Sequence, residues 1–243
     1  LDLADGSTLT MDAMLAAGIA PNIYNDTMVR ASKYMVLEFA ADLTKLVRDL
    51  NKYQPGILDP YKRGGKLLAL PLPGGGQGMC INLDIMQDIG YKVPANWTIA
   101  DFLTMAKKVK QKYGGKKWAT GMFAANQSGD YLINGWYASY GVQFYKSGNY
   151  NTATIADTGG AKVYSFFQQL AKAGYIPTGA ATLNDDDYAA QWAEGKLAAT
   201  AFFPEWAAPY FKTAMDQKLI DKPFKYVFVP FPRAPGVKKV PTY

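Results

Sequence analysis

The side chains that could perform covalent chemistry are few. The 243-residue chain contains no histidine and a single cysteine, Cys80. Nucleophile systems of the Ser-His-Asp and Cys-His kinds are therefore excluded, as are metal sites built from histidine or from several cysteines. Because glycoside hydrolysis needs only two carboxylates, a carbohydrate-active enzyme stays open as an alternative. We expect no catalytic residue, no cofactor and no bound metal.

The acidic run Asn184-Asp185-Asp186-Asp187 is the one segment that suggests a cation. It has neither a glycine at the sixth loop position nor a later glutamate at the spacing of a calcium-binding EF-hand. Acidic side chains favour the positive end of a helix. We therefore expect this run to cap a helix that contains Tyr188.

The glycine-rich segment from Gly74 to Gly78 resembles a phosphate-binding loop, but it lacks the Gly-Lys-Ser/Thr ending that such loops need. Its glycines permit unusual backbone angles and allow a ligand to approach the main chain closely. Nucleotide binding is not expected here.

The composition predicts a folded protein rich in aromatic rings. Hydrophobic residues make up 49% of the chain and charged residues 19%, which excludes general disorder. The 17 tyrosines, 12 phenylalanines and 5 tryptophans suit a cleft lined by flat rings. The net charge of +6 comes from dispersed lysines rather than from a basic stripe, so no nucleic-acid partner is expected. No apolar run is long enough to span a membrane.

Hydrophobic periodicity alternates between strand-like and helix-like segments along the chain. Strands are predicted at 23–24, 66–72, 79–82, 118–123, 198–203 and 226–231. Helices are predicted at 11–16, 26–50, 84–90, 102–109, 131–140, 159–174, 187–194 and 207–217. Such alternation is typical of an α/β architecture with largely parallel sheets.

Several motifs occur in the order found in one known family. They are the Gly-x-x-Pro-x-Ile-aromatic segment at 18–24, Gly-Lys-Leu-Leu-Ala-Leu-Pro at 65–71, the Asn-Leu-Asp segment from Asn82 to Trp97, Gly-Lys-Leu-Ala-Ala at 195–199, and Phe-Pro-Glu-Trp at 203–206. Together they resemble the bacterial extracellular solute-binding proteins of ABC transporters, family 1, the maltodextrin or oligosaccharide-binding type. The chain departs from the family pattern at Asn22, where aspartate is common, and at Glu205, where glycine is usual.

The resemblance implies an α/β, two-lobed periplasmic-binding-protein-like fold of type II, incomplete at both termini. Residues 1–77 would be part of the first lobe and residues 78–238 the second. The chain would cross between lobes near residues 74–79 and 238–243, and a solute held in the interlobe cleft would favour the closed form through its higher affinity for it.

The resemblance also implies solute-binding residues, which are Tyr24, Asn25, Asp26, Gln77, Asn126, Trp136, Tyr137, Glu205 and Trp206. Aromatic rings stack on the apolar face of a sugar, and planar polar groups bind its hydroxyls. Structural roles remain open for several of them: Tyr24 and Trp136 could instead pack in the core, and Gln77 and Glu205 could simply face water.

The implied function is the capture of a sugar or oligosaccharide for an ABC permease. The resemblance further implies a monomer that is periplasmic or extracellular, with lipid anchoring left open. Alternatives are a carbohydrate-active enzyme, a receptor for a peptide, polyol or chelate, and an interaction module without a ligand.

Overall fold

The structure, a computed structural model, describes residues 8–26, 28–71, 76–125, 129–146 and 149–238. The chain divides into two compact units, Leu1–Pro73 and Gly74–Tyr243. The sequence-based boundary at residue 77 stays a prediction, as do the two crossings, since 72–75 and 239–243 lie outside the described residues.

The first unit contains two short helices and a small hairpin. Its elements are α1 (Thr8–Ala16), α2 (Met28–Val36), β1 (Lys62–Arg63) and β2 (Lys66–Leu67). Helix α1 ends in a turn at Gly18, whose φ of 70° is costly for residues with a side chain. The strands predicted at 23–24 and across 66–72 are wrong in extent: 21–26 is irregular backbone, and pairing in the second segment stops at Leu67.

The second unit holds most of the regular structure. Its helices are α3 (Leu83–Asp88), α4 (Ile99–Tyr113), α5 (Gly129–Ser139), α6 (Gly160–Lys172), α7 (Asp185–Ala193) and α8 (Pro204–Asp216). Its strands are β3 (Gly78–Asn82), β4 (Tyr145–Lys146), β5 (Asn149–Ala153), β6 (Ala199–Phe202) and β7 (Tyr226–Val229).

Local sequence signals account for the clearest of these helices. In α4, the Thr98 hydroxyl accepts a hydrogen bond from Asp101 N at 3.2 Å, and the Asp101 carboxylate accepts one from Thr98 N at 2.8 Å. This capping box fixes the start of the helix. Gly114 ends it with a φ of 62°. Phe102, Met105, Ala106 and Val109 are buried and the lysines are exposed or half-buried, so the lysines form the solvated face of the helix.

The central sheet has the order β6-β3-β7, and both pairings are antiparallel. The predicted largely parallel arrangement is therefore wrong for the described residues, where parallel pairing occurs only as isolated bridges such as Trp118 to Leu197. The alternation of strands and helices along the chain predicts the direction of a strand pair only where two consecutive strands lie next to each other in the sheet. Here β6 and β7 are consecutive, but they lie on opposite sides of β3, which runs against both.

The core of the second unit is dominated by aromatic rings. Strand β3 is buried on both faces from Met79 to Asn82, which is expected for a central strand covered on each side. Trp97, Trp136 and Trp192 are all at most 2% exposed. A buried aromatic ring removes more apolar area from water than a smaller side chain does, so these tryptophans contribute strongly to the stability of the second unit.

Candidate functional site

A small aromatic pocket opens beside the end of β6. We call it the Trp206 pocket. It is lined by Gln77, Phe123, Leu132, Asp185, Tyr188, Ala189, Ala201, Phe202, Phe203, Trp206 and Tyr210, all of which belong to the second unit. Its internal space is about 30 Å³, whereas one water molecule needs at least about 10–15 Å³. A sugar ring does not fit inside it and would have to lie across its opening.

Antiparallel pairing explains why Gln77 and Trp206 meet. Gly78, the first residue of β3, pairs with Phe202, the last residue of β6. The residue before β3 and the residues after β6 therefore leave the sheet at the same edge. Had the two strands been parallel, Gln77 would lie at the far end from Trp206.

The start of α8 sets the position of the Trp206 ring. Phe203 has extended backbone and precedes the helix, and Pro204 occupies its first turn, where the missing N–H has no intrahelical partner to lose. The backbone N–H of Trp206 donates to Phe203 O at 3.1 Å. The Trp206 ring packs 4.6 Å from Phe203 and 6.1 Å from Phe202, measured between ring centroids, and stays 39% exposed. One part of this ring is thus held by the protein while another remains accessible.

Two buried aromatic side chains, Tyr188 and Phe123, form part of the pocket wall. The Tyr188 hydroxyl donates to Ala201 O at 2.9 Å, and its ring packs 5.2 Å from Phe123. Burial raises the pKa of Tyr188 well above its ordinary value, so this hydroxyl stays protonated and keeps its bond to β6. A methyl group on Gly121 would lie 2.6 Å from the Tyr188 ring, so this position leaves no space for a side chain.

Polar groups surround the opening. The Gln77 amide oxygen accepts a hydrogen bond from Gly135 N at 3.2 Å, which ties it to helix α5. Burial, and then the charges of Asp186 and Asp185, raise the pKa of Tyr210, so that its hydroxyl is protonated and can donate at neutral pH. An amide, a phenol and a carboxylate are groups that bind sugar hydroxyls.

Asp185 lines the pocket as the first residue of helix α7, whose start is fixed by a capping box. The Asn184 side chain accepts from Asp187 N at 2.9 Å, and the Asp187 carboxylate accepts from Asn184 N at 3.1 Å. The predicted capping role of this acidic run is confirmed. Asp185, the first residue of this helix, lines the same pocket as Tyr210.

Trp136 and Tyr137 require a correction. Trp136 is fully buried, and the rings of Phe102, Phe166 and Phe231 lie 5.2–5.7 Å from it. Tyr137 is 3% exposed. A ring enclosed on all sides has no face left for a solute, so in this structure both residues are core residues and not ligand-stacking ones.

The other predicted site residues lie in different places. Tyr24 is half-buried in the first unit, 5.7 Å edge-on from Tyr34, and burial followed by the charge of Asp26 raises its pKa. Asn25 is exposed and Asp26 half-buried. Glu205 is exposed in the first turn of α8. Asn126 lies outside the described residues.

Only Gln77 and Trp206 of the eleven lining residues were among the sequence-predicted site residues, and the missed ones include Tyr210, Phe203 and Asp185. Tyr210 and Phe203 had a readable signal, because Tyr210 is four residues after Trp206 on the same helix face and Phe203 immediately precedes the helix. Asp185 had none, since its place beside the pocket depends on how α7 packs against the sheet.

The single thiol gives no sign of nucleophilic chemistry. Cys80 is 1% exposed, and burial raises its pKa to about 12, although the neighbouring Trp192 indole N–H opposes the shift. The reactive form of cysteine is the thiolate, so this side chain is inert at neutral pH.

Among the helices of the described ranges, none has the length and hydropathy needed to cross a bilayer.

Three solved structures are similar to this chain across nearly its whole length. The GacH receptor of Streptomyces glaucescens, solved unliganded and with acarbose, has 15% identity and a TM-score of 0.74, and the match covers 96% of this chain and 57% of that chain. A sugar transporter from Arthrobacter chlorophenolicus with bound laminaribiose has 20% identity and a TM-score of 0.73, and the match covers 95% of this chain and 56% of that chain. UgpB from Mycobacterium tuberculosis with glycerophosphocholine has 16% identity and a TM-score of 0.75, and the match covers 96% of this chain and 58% of that chain. This chain spans 56–58% of the length of these structures. At these identities the likeness shows the fold alone. It confirms the predicted α/β, periplasmic-binding-protein-like fold of type II.

The family comparison covers nearly every residue. No curated protein sequence matches the chain. The family model described as "Bacterial extracellular solute-binding protein" matches residues 4–243, which confirms the resemblance seen in the motifs. The chain belongs to the bacterial extracellular solute-binding proteins.

Proposed function

We propose that this chain is the solute-binding part of an ABC import receptor and that its solute is a sugar or oligosaccharide. The observation that carries the proposal is the Trp206 ring. It is the most exposed of the five tryptophans, because Trp97, Trp136 and Trp192 are buried and Trp118 is half-buried. Gln77 and Tyr210 line the same pocket.

The chemistry of such a site follows from the shape of a sugar. The apolar C–H face would lie on the exposed part of Trp206, and the hydroxyls would bind Gln77, Tyr210 and Asp185. A buried polar group without a partner costs about 1–3 kcal/mol, so a sugar with a misplaced hydroxyl would be rejected. Of the first unit, Tyr24, Asn25 and Asp26 remain in the proposal as predicted solute-binding residues.

Family membership supports the rest of the role. Two of the similar structures were solved with a bound solute, acarbose in one and laminaribiose in the other. We infer that the loaded receptor works outside the cell membrane or in the periplasm, delivers its solute to a membrane permease, and performs no catalysis. A monomeric state is part of the same proposal, and lipid anchoring is left open.

A non-sugar solute is the second candidate. UgpB has the same fold and comparable similarity to this chain, and its structure contains glycerophosphocholine. The fold therefore accommodates solutes other than sugars, and the side chains of the pocket must decide the class.

Calorimetric titration of the full chain tests the proposal. The panel should contain neutral mono- and oligosaccharides, polyols, short peptides and glycerophosphodiesters. We expect one-to-one binding of at least one sugar, and mass spectrometry should recover that sugar unchanged after long incubation. Binding only to non-sugars, hydrolysis of the sugar, or no binding by any member of the panel would contradict the proposed function.

A further inference from the structure

The lining of the Trp206 pocket divides by burial into an inner wall and a rim. Six of the eleven lining residues are at most 5% exposed, and we call them the inner wall: Phe123, Leu132, Tyr188, Ala189, Ala201 and Phe202. The other five lining residues are half-buried or exposed and form the rim. Gln77 and Asp185, which bring the amide and the carboxylate of the lining, both belong to the rim. The deeper part of the pocket is therefore its apolar part.

The side chains of the inner wall offer a solute very little hydrogen bonding. Five of the six are hydrocarbon, and the sixth, Tyr188, already donates its single hydroxyl proton to Ala201 O at 2.9 Å. A solute hydroxyl placed against this wall would give up its hydrogen bonds to water without full replacement, which weakens binding. An apolar group placed there is removed from water, which strengthens binding. The inner wall thus favours an apolar part of the solute.

The size of the pocket decides which apolar group can enter. Its internal space of about 30 Å³ is roughly two to three times the minimum that one water molecule needs. That space accepts a methyl group, but it is too small for a sugar ring or a branched chain. Apolar cavities of proteins take up apolar guests such as xenon. A single methyl group is the sugar substituent that matches both the size and the chemistry of this space.

Phe202 connects the inner wall to the rim. The centroid of its ring lies 6.1 Å from that of Trp206, with the two rings nearly perpendicular at 86°, and 5.8 Å from that of Tyr210. The equatorial substituents of a pyranose project sideways from the face that stacks on an aromatic ring. One sugar unit can therefore lie with its face on Trp206 and direct one substituent towards Phe202.

We propose that the inner part of the Trp206 pocket is a methyl-accepting subsite, so that the preferred solute is a sugar bearing a methyl group, from a 6-deoxy carbon or from an N-acetyl group. The methyl group enters the pocket while the sugar ring lies across the opening. This inference rests on the proposed function, sugar capture at this pocket, and names the class of sugar.

Calorimetry with sugars that differ at one group tests the solute class, in two arms. D-Galactose, D-fucose and L-arabinose have the same ring configuration and carry hydroxymethyl, methyl and hydrogen at one carbon, whereas N-acetyl- and N-formylglucosamine differ by the acyl methyl group. L-Rhamnose and L-mannose extend the 6-deoxy arm to a second configuration. In the arm that supplies the methyl group, we expect the methyl sugar to bind at least about 10-fold more tightly than its hydroxymethyl counterpart, and about 5-fold more tightly than the sugar without the methyl group.

Xenon tests the subsite without knowledge of the natural sugar. The methyl resonances of alanines are followed by NMR of the native protein as the xenon pressure is raised. We expect the resonances of Ala189 and Ala201, which line the pocket, to shift, and that of Ala106, a core residue of α4 that does not line it, to stay in place.

Ala189→Val fills the pocket from helix α7 and should abolish both the shift of Ala201 and the preference for methyl sugars. Ala190→Val is the matched control, because the adjacent Ala190 is half-buried on the same helix and does not line the pocket. This variant should keep both properties. A xenon response that survives in Ala189→Val, or none in the native protein, would overturn the methyl-accepting subsite.

The outcomes separate this inference from the proposed function. If sugars bind through Trp206, but methyl sugars bind no more tightly than their counterparts in either arm, the receptor role stands and the methyl preference is wrong. If xenon enters the pocket but no sugar of the two arms or of the wider panel binds, the apolar subsite stands and sugar capture is wrong.

Discussion

Replacing Trp206 by alanine is expected to weaken solute binding by at least about 30-fold, which corresponds to roughly 2 kcal/mol. The accessible part of this ring is the largest flat apolar surface at the opening of the Trp206 pocket. The substitution removes the stacking surface and leaves Gln77 and Tyr210 without a solute held against them. Calorimetric titration with a sugar identified from the panel measures the effect.

The fold should tolerate this change. Trp206 is 39% exposed and packs mainly on Phe203, so we expect the free energy of unfolding to fall by no more than about 1 kcal/mol. Trp118→Phe is the matched control, because Trp118 is half-buried and does not line the pocket. Unchanged affinity in Trp206→Ala, with normal affinity in Trp118→Phe, would remove Trp206 from the site.

Replacing Gly135 by alanine is expected to lower the free energy of unfolding by about 1–3 kcal/mol. Glycine inside a helix normally costs stability relative to alanine, so the opposite sign would be expected on propensity alone. Here the new methyl group would lie 2.1 Å from the Phe231 ring, which is itself 3% exposed and packed against Trp136. Either the ring or helix α5 must move. Urea denaturation followed by circular dichroism measures the loss.

Two further variants separate the steric cause from other effects. Asn134→Ala changes the adjacent, exposed residue of the same helix and should leave stability unchanged or slightly higher. Phe231→Leu should partly rescue Gly135→Ala, so that the double variant loses less than the sum of the two single losses. Additive losses, or a stabilised Gly135→Ala protein, would show that the close contact with Phe231 does not govern this position.

Sequence patterns predicted the elements whose signals are local. Helix α4 has its capping residues, apolar face and terminal glycine within one continuous stretch, and helix α7 has Asn184 as its N-cap and three aspartates in its first turn. Strand β3 and the segment from β6 into α8 were predicted in nearly their observed places. The motifs in these segments also carried the family resemblance.

The direction of strand pairing could not be predicted from such local signals. The pairing of β3 with both β6 and β7 joins segments more than 100 residues apart, and the direction of each pair depends on the path of the intervening chain. This pairing is also what brings Gln77 to Trp206. Consequently, part of the site depended on a feature of the sheet that the sequence pattern had wrongly predicted.

Trp136 and Trp206 show why the burial of a single side chain could not be predicted from the sequence pattern. Both are tryptophans on helices next to the same pocket, and Leu132, one turn before Trp136, does line it. Trp136 lies in the middle of α5, where four phenylalanines from other segments enclose it. Trp206 lies in the first turn after a strand end, where fewer elements can surround a side chain. Only the packing of distant segments distinguishes the two environments.

Fluorine NMR of the protein labelled with 5-fluorotryptophan tests most directly whether solute binds at the Trp206 pocket. The five resonances can be assigned from single tryptophan-to-phenylalanine variants. With any solute that calorimetry shows to bind, we predict that the Trp206 resonance shifts as the site fills and that the Trp136 resonance, from the enclosed core, stays in place. A bound solute that leaves Trp206 unmoved, or that shifts Trp136 instead, would contradict the account.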